Sequence, residues 1–226
     1  MASTVSEPVE PAVRVARGAS YIVLQGVIVN LVGVVYFVFA TRLLPTVADF
    51  GRITTVNLII LMIVVVGSLG LPTAMTRFIA QYLAKEDQDL ARSLYRRIMR
   101  LGTFLSLISL VAVFVWSRPL SSFFLGSDYT LLLQLAAIDI FLQLLAVFPL
   151  GALQGIYRFR EVAIVNIISN VVQFSSAVYL LITTRLGLVG ILIGWIIGDG
   201  IGTFLALIIT SNHFPRPNHE SIRHGG

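Results

Sequence analysis

The chain has 226 residues, of which 57% are hydrophobic and only 12% charged, and its mean hydropathy is +0.90. A water-soluble domain carries about 25% charged residues, so a soluble fold is excluded and the chain belongs in a bilayer. The formal net charge of +5 and isoelectric point near 10.0 follow from the loop asymmetry described below, without a nucleic-acid partner, and the absence of cysteine removes disulfides and thiolate metal sites.

Residues 1–17 open the chain with Glu7, Pro8, Glu10 and Pro11 and no aromatic residue before Val13, a composition expected to stay disordered. Six apolar stretches follow, from Ala19 to Leu44, Ile53 to Leu71, Ile98 to Trp116, Thr130 to Leu150, Val162 to Thr184 and Leu188 to Thr210. Each is long enough to cross a hydrocarbon core of about 30 Å as a helix. The first is longer than the apolar region of a secretory signal and lacks a small-residue cleavage site, so it reads as a retained span. The expected fold is therefore all-α: a polytopic membrane protein with a six-helix transmembrane lobe over residues 18–211. Between the second and third spans, residues 73–100 carry helix formers throughout and predict a helical hairpin that turns near Glu86 to Gln88. Residues 212–226, with Pro215, Pro217, Gly225 and Gly226, predict a disordered tail.

Short loops rich in Lys and Arg stay on the cytoplasmic side. Twelve of the 16 basic residues fall on one side: Arg14 and Arg17, six between Arg77 and Arg100, Arg158 and Arg160, and Arg216 and Arg223. The other side holds Arg42, Arg52, Arg118 and Arg185. Both termini are expected in the cytoplasm, with the protein in the cytoplasmic membrane and Arg92, Arg96, Arg97 and Arg100 of the hairpin facing membrane-lipid headgroups or solvent.

Inside the spans, Gly190, Gly194, Gly198 and Gly202 recur every four residues and predict a close-packed neighbour, while Gly26 and Gly33 flank Asn30 on a similar surface of span one. Asp139 and Asp199 lie near the centres of their spans, where a carboxylate is costly unless paired or hydrated. Asp139 shares a face with Gln143 and divides evenly between ion coupling in an aqueous cavity and a structural hydrogen bond. Asp199 sits beside the glycine stripe, which favours a structural bond. On span five, Asn166, Ser169, Asn170, Gln173 and Ser176 form one polar stripe, more than packing usually requires, and so predict a hydrated cavity for a polar substrate. Asn30 and Asn57 could extend its lining.

Catalysis fits poorly. The histidines His213, His219 and His224 all follow the last span, and no phosphate-binding loop is present, so the chain reads as a non-enzyme without cofactor or metal.

Four stretches in order carry a resemblance: ATRLLPTVADFGRIT from Ala40, GLPTAMTRFIAQYLAKED from Gly70, LGALQGIYRFREVAIVNIISN from Leu150 and LGLVGILIGWIIGDGIG from Leu186. Together they resemble the amino-terminal half of a polysaccharide or oligosaccharide flippase of the multidrug/oligosaccharidyl-lipid/polysaccharide exporter superfamily. The resemblance implies two six-helix lobes around a central cavity, with alternating access carrying a polyprenyl-linked saccharide across the bilayer. It also implies cationic and polar cavity residues for pyrophosphate and glycan. By position these are Arg42, Arg52 and Arg77 beside the Asn166 stripe, Arg77 being equally suited to anchor a headgroup. One lobe has no facing wall, so a homodimer or a second six-helix lobe would be needed to complete the cavity. The alternatives are a cation-coupled multidrug or small-solute antiporter using Asp139, and a non-transporting membrane subunit of a glycan-assembly complex.

Overall fold

The computed structural model describes residues 9–126, 128–184 and 186–213. Among the described residues eight helices follow one another: α1 (Val9–Leu43), α2 (Val47–Ser68), α3 (Leu71–Ala84), α4 (Gln88–Val115), α5 (Ser117–Leu125), α6 (Thr130–Gly155), α7 (Phe159–Thr183) and α8 (Leu188–His213). Six of these, α1, α2, α4, α6, α7 and α8, are long and apolar enough to span a membrane. The disorder expected at the ends falls partly on residues 1–8 and 214–226, which lie outside the described residues. Val9 to Arg17, by contrast, is already helical. Pro11 does not stop α1 from starting at Val9, because a first-turn residue has no intrahelical N–H bond to lose.

The links are built from local chemistry. Thr46 caps α2 by accepting from the Asp49 N–H at 3.1 Å, and its hydroxyl donates to the Asp49 carboxylate at 2.8 Å. Leu69 and Gly70 both take left-handed backbone (φ 50° and 68°), and Pro72 then opens α3, so the chain turns sharply between α2 and α3. Lys85, Glu86 and Asp87 turn α3 into α4, whose start Asp87 caps by accepting from the Leu90 N–H at 3.1 Å.

Helix α6 is the central post of the lobe, and it owes that place to residues small enough to admit neighbours on several sides. A Cβ on Gly151 would meet the Pro72 carbonyl at 2.9 Å, and one on Gly155 would meet the Thr76 carbonyl at 3.0 Å. Helix α3 therefore lies backbone to backbone on α6, and the Thr76 hydroxyl donates across to the Gly151 carbonyl at 2.9 Å. On another side Phe148 packs into the space left by Gly102 of α4. Two apolar clusters result: one under α3 and α4 around Met75, Ile79 and Phe148, and a larger one joining α2, α6 and α8 around Ile60, Leu133 and Ile191.

The glycine stripe of α8 seats α7. A Cβ on Gly194 would lie 2.4 Å from the Ala177 backbone N, one on Gly198 would lie 2.4 Å from Gln173 Cβ, and one on Gly202 would lie 2.7 Å from Ser169 Cβ. No space for side chains separates these two helices, the arrangement that small-xxx-small spacing permits. Helix α1 is the most peripheral. It leans on α7, where Tyr36 stacks on Phe174 (centroids 4.6 Å apart) and Gly18 lies under the Phe159 ring, and it turns Val23, Leu31 and Val34 outward.

Candidate functional site

Because α1 touches α7 along one edge and meets α2 near the Thr46 link, where Phe37 and Phe50 pack edge to face at 5.2 Å, a gap remains in front of α6 and α8. This cleft has a volume of about 500 Å³ and takes its walls from α1, α2, α6, α7 and α8. Its polar groups come one helix at a time: Asn57 from α2, Gln143 from α6, Asn166 and Asn170 from α7, Asp199 and Thr203 from α8. The Asn57 and Asn166 amides have no side-chain hydrogen bond to other described residues, whereas Asn170 Nδ2 donates back to the Asn166 carbonyl at 2.9 Å.

The polar stripe of α7 is split between two duties. Ser176 donates to the Gly194 carbonyl at 3.0 Å, and Ser169 to the Gly198 carbonyl at 3.0 Å and to Asp199 Oδ1 at 3.1 Å. These hydroxyls stitch α7 to the backbone that the missing glycine side chains expose. Asn166 and Asn170 instead face the cleft. Ser169 and Gln173 do both, since each lines the cleft and Gln173 Nε2 also reaches Asp199 Oδ2 at 3.4 Å.

Two carboxyls meet at the base of the cleft. Asp139 is fully buried; one of its oxygens accepts from Gln143 Nε2 at 2.9 Å, and the other faces the Asp199 carboxyl with no further partner. Beside them, Trp195 Nε1 approaches Tyr36 Oη. Both atoms are buried in the cleft wall, and neither has another partner among the described residues.

Of the residues singled out from sequence, Asn57, Asn166, Ser169, Asn170, Gln173 and Asp199 converge on the cleft, and Asp139 lies directly behind it. Asn30 does not. It sits on the exposed side of α1, where Nδ2 donates to the Gly26 carbonyl at 2.7 Å beside Val27 and Leu31. The three arginines also lie outside the cleft lining. Arg42 is exposed in the last turn of α1, where a cation suits the helix dipole. Arg77 is on the exposed face of α3, opposite the buried Met75 and Ile79. Arg52 is tied to Asp49 at 2.8 Å and lies over the Tyr129 ring at 4.8 Å, joining the start of α2 to the start of α6. Span membership indicates depth, but not which way an arginine points around its helix.

Sequence reasoning missed Gln143, Tyr36 and Trp195 as cleft residues. Gln143 was detectable from its i+4 spacing to Asp139. The two aromatics, set in apolar runs, carry no signal that separates a cavity wall from core packing.

A six-helix membrane lobe with a polar cleft cut into one side is the class that this fold and site define. The matched family model narrows it: residues 15–224 match the family described as polysaccharide biosynthesis protein, and the chain belongs to that family, within the multidrug/oligosaccharidyl-lipid/polysaccharide exporter (MOP) superfamily. No curated protein matches. Among solved structures, a MATE protein in the bent conformation is 17% identical with a TM-score of 0.76, over 93% of this chain and 47% of its own. A MOP superfamily transporter from Pyrococcus furiosus is 18% identical with a TM-score of 0.76, over 92% of this chain and 48% of its own. An outward-facing multidrug resistance MATE family transporter is 17% identical with a TM-score of 0.70, over 84% and 45%. The chain thus has the fold of one part of such transporters and spans about half their length.

Proposed function

We propose that the chain forms one lobe of a transporter that moves lipid-linked oligosaccharide or polysaccharide intermediates across the cytoplasmic membrane, and that the cleft is this lobe's share of the path. The observation that carries this reading is the convergence of Asn57, Asn166 and Asn170 on a roughly 500 Å³ cleft at membrane depth. Amides that serve only to hold helices together find partners within the bundle, whereas two of these have none among the described residues. The family's description favours a saccharide cargo. A second lobe, or a second copy of this chain, would close the open side. The excess of basic residues on one side of the spans supports both termini lying in the cytoplasm.

The Asp139 and Asp199 pair supports a coupling role within the same reading. Two carboxylates in contact away from water repel each other, so the pair is a natural seat for a proton or a small cation that moves with the cargo. The same pair is what favours the second reading, cation-coupled efflux of small molecules, in line with the multidrug resistance named for one structural relative. Reconstitution separates the two. Liposomes containing the chain with its companion lobe should move the head group of a fluorescent lipid-linked sugar between leaflets. Cation-driven dye efflux with no head-group movement would overturn the saccharide reading.

A further inference from the structure

Resting on that reading, we propose that this lobe's cleft takes the uncharged, hydroxyl-bearing glycan part of the cargo and leaves the pyrophosphate to be held elsewhere. The wall combines what a sugar ring needs. Asn57, Asn166 and Asn170 offer amide donors and acceptors, and a hydroxyl, being both donor and acceptor, can use either end of an amide. Tyr36 stacked on Phe174 presents flat apolar surface beside them, against which the C–H face of a ring can lie.

Trp195 supplies the feature that packing alone leaves unexplained. It is only 5% exposed, and its Nε1 and the Tyr36 hydroxyl close on each other at the cleft with no other partner among the described residues. The Trp195 N–H points at Tyr36 Oη, which leaves the Tyr36 hydroxyl proton without an acceptor among the described residues; a sugar hydroxyl drawn against this wall as the two rings part would accept it.

The charges argue against phosphate in the same place. No Lys, Arg or His is among the described residues lining the cleft, and its only ionisable acid, Asp199, is backed by Asp139. A pyrophosphate seated here would face carboxyls with no cationic donor, at a depth where an unpaired charge is costly. Arg52, the nearest candidate by sequence, is already engaged by Asp49 and Tyr129.

The chain has two tryptophans, so Trp116→Phe leaves Trp195 as the sole reporter of the cleft. Purified full-length protein in detergent would be titrated with chitotetraose, with inorganic pyrophosphate and with tetraphenylphosphonium. Chitotetraose should change the Trp195 emission saturably, pyrophosphate should not at tenfold higher concentration, and adding Asn166→Leu and Asn170→Leu should weaken the response at least tenfold. A parallel measurement uses the absence of native cysteine: Asn170→Cys should be protected from an aqueous thiol reagent by the oligosaccharide alone. Saturation or protection by pyrophosphate would overturn the glycan assignment while leaving the saccharide-transport reading intact. Saturation by tetraphenylphosphonium alone would overturn both. No response to any probe in either measurement would overturn the glycan assignment.

Discussion

Gly198 of α8 lies so close to Gln173 of α7 that a Cβ added to it would fall 2.4 Å from Gln173 Cβ and 2.5 Å from its backbone N and Cα. Backbone atoms cannot swing aside as a flexible side chain can, so the two helices would have to separate. Gly198→Ala should therefore destabilise the lobe by about 1–3 kcal/mol, the usual range for overpacking a close contact. Gly26→Ala, on an α1 surface with nothing within 4 Å, should leave stability unchanged or slightly higher. Thermal unfolding in detergent compares the two; equal stability of the variants would contradict the packing assigned to the seam.

That seam also shows how far the sequence could be read. Spacing of four between Gly190 and Gly202 announced a close neighbour, because small residues at that interval share one face of any helix. It could not say that the neighbour is α7, since a one-dimensional period carries no information about the opposite surface. The second seam, Gly151 and Gly155 against α3, has the same spacing but only two members, next to Pro149, and passed unnoticed. The α7 stripe was legible as a stripe, but residues at three- and four-residue steps cover an arc wide enough to face two environments. Ser169 and Ser176 turned toward the α8 backbone, and Asn166 and Asn170 toward the cleft.

Arg52 should matter for stability rather than for cargo. Its guanidinium pairs with Asp49 at 2.8 Å and covers the Tyr129 ring, with the arginine side chain 31% and the aspartate 19% exposed. Arg52→Ala should cost about 1–2 kcal/mol, combining a partly screened ion pair with a cation–π contact. Arg52→Lys should recover only part of this, because an ammonium group lacks the planar stacking face. Arg42→Ala and Arg77→Ala, at exposed positions, should stay within about 0.5 kcal/mol of the parent. A loss of saccharide movement in Arg52→Ala with no loss of stability would show that Arg52 meets the cargo after all.

The carboxyl pair gives a test that separates structure from coupling. Replacing Asp139 and Asp199 together with Asn keeps an oxygen for Gln143, Ser169 and Gln173 to bond while removing both ionisable groups. The double variant should fold and bind as the parent does but should move cargo at a rate that no longer responds to an imposed proton or sodium gradient. Asp139→Leu should instead destabilise by about 1–3 kcal/mol, since it strips a partner from Gln143 and leaves the Asp199 carboxyl facing a hydrocarbon wall. Retained gradient dependence in the double variant would remove the pair from coupling.

Helix α5 carries the last prediction. Ser117 and Ser121 are buried against the lobe, while Trp116, Phe123 and Phe124 on the other side are 64%, 82% and 48% exposed. The segment lies between the end of α4 and the start of α6, both of them ends of candidate spans, and so at the depth where a bilayer passes from acyl chain to headgroup. Aromatic rings are favoured at that boundary, and a short helix with one such face lies along it. In a Trp195→Phe variant reconstituted in vesicles, Trp116 becomes the only tryptophan and should be quenched strongly by lipids brominated near the headgroup, weakly by those brominated at the chain end, and little by aqueous acrylamide. Phe123→Ser should shift this balance toward acrylamide without lowering the stability of the six-helix core, because Phe123 is 82% exposed and its ring meets the Phe124 ring of its own segment. Strong acrylamide quenching in the parent would mean that this face looks into water, and shielding from every quencher would mean that another protein surface covers it.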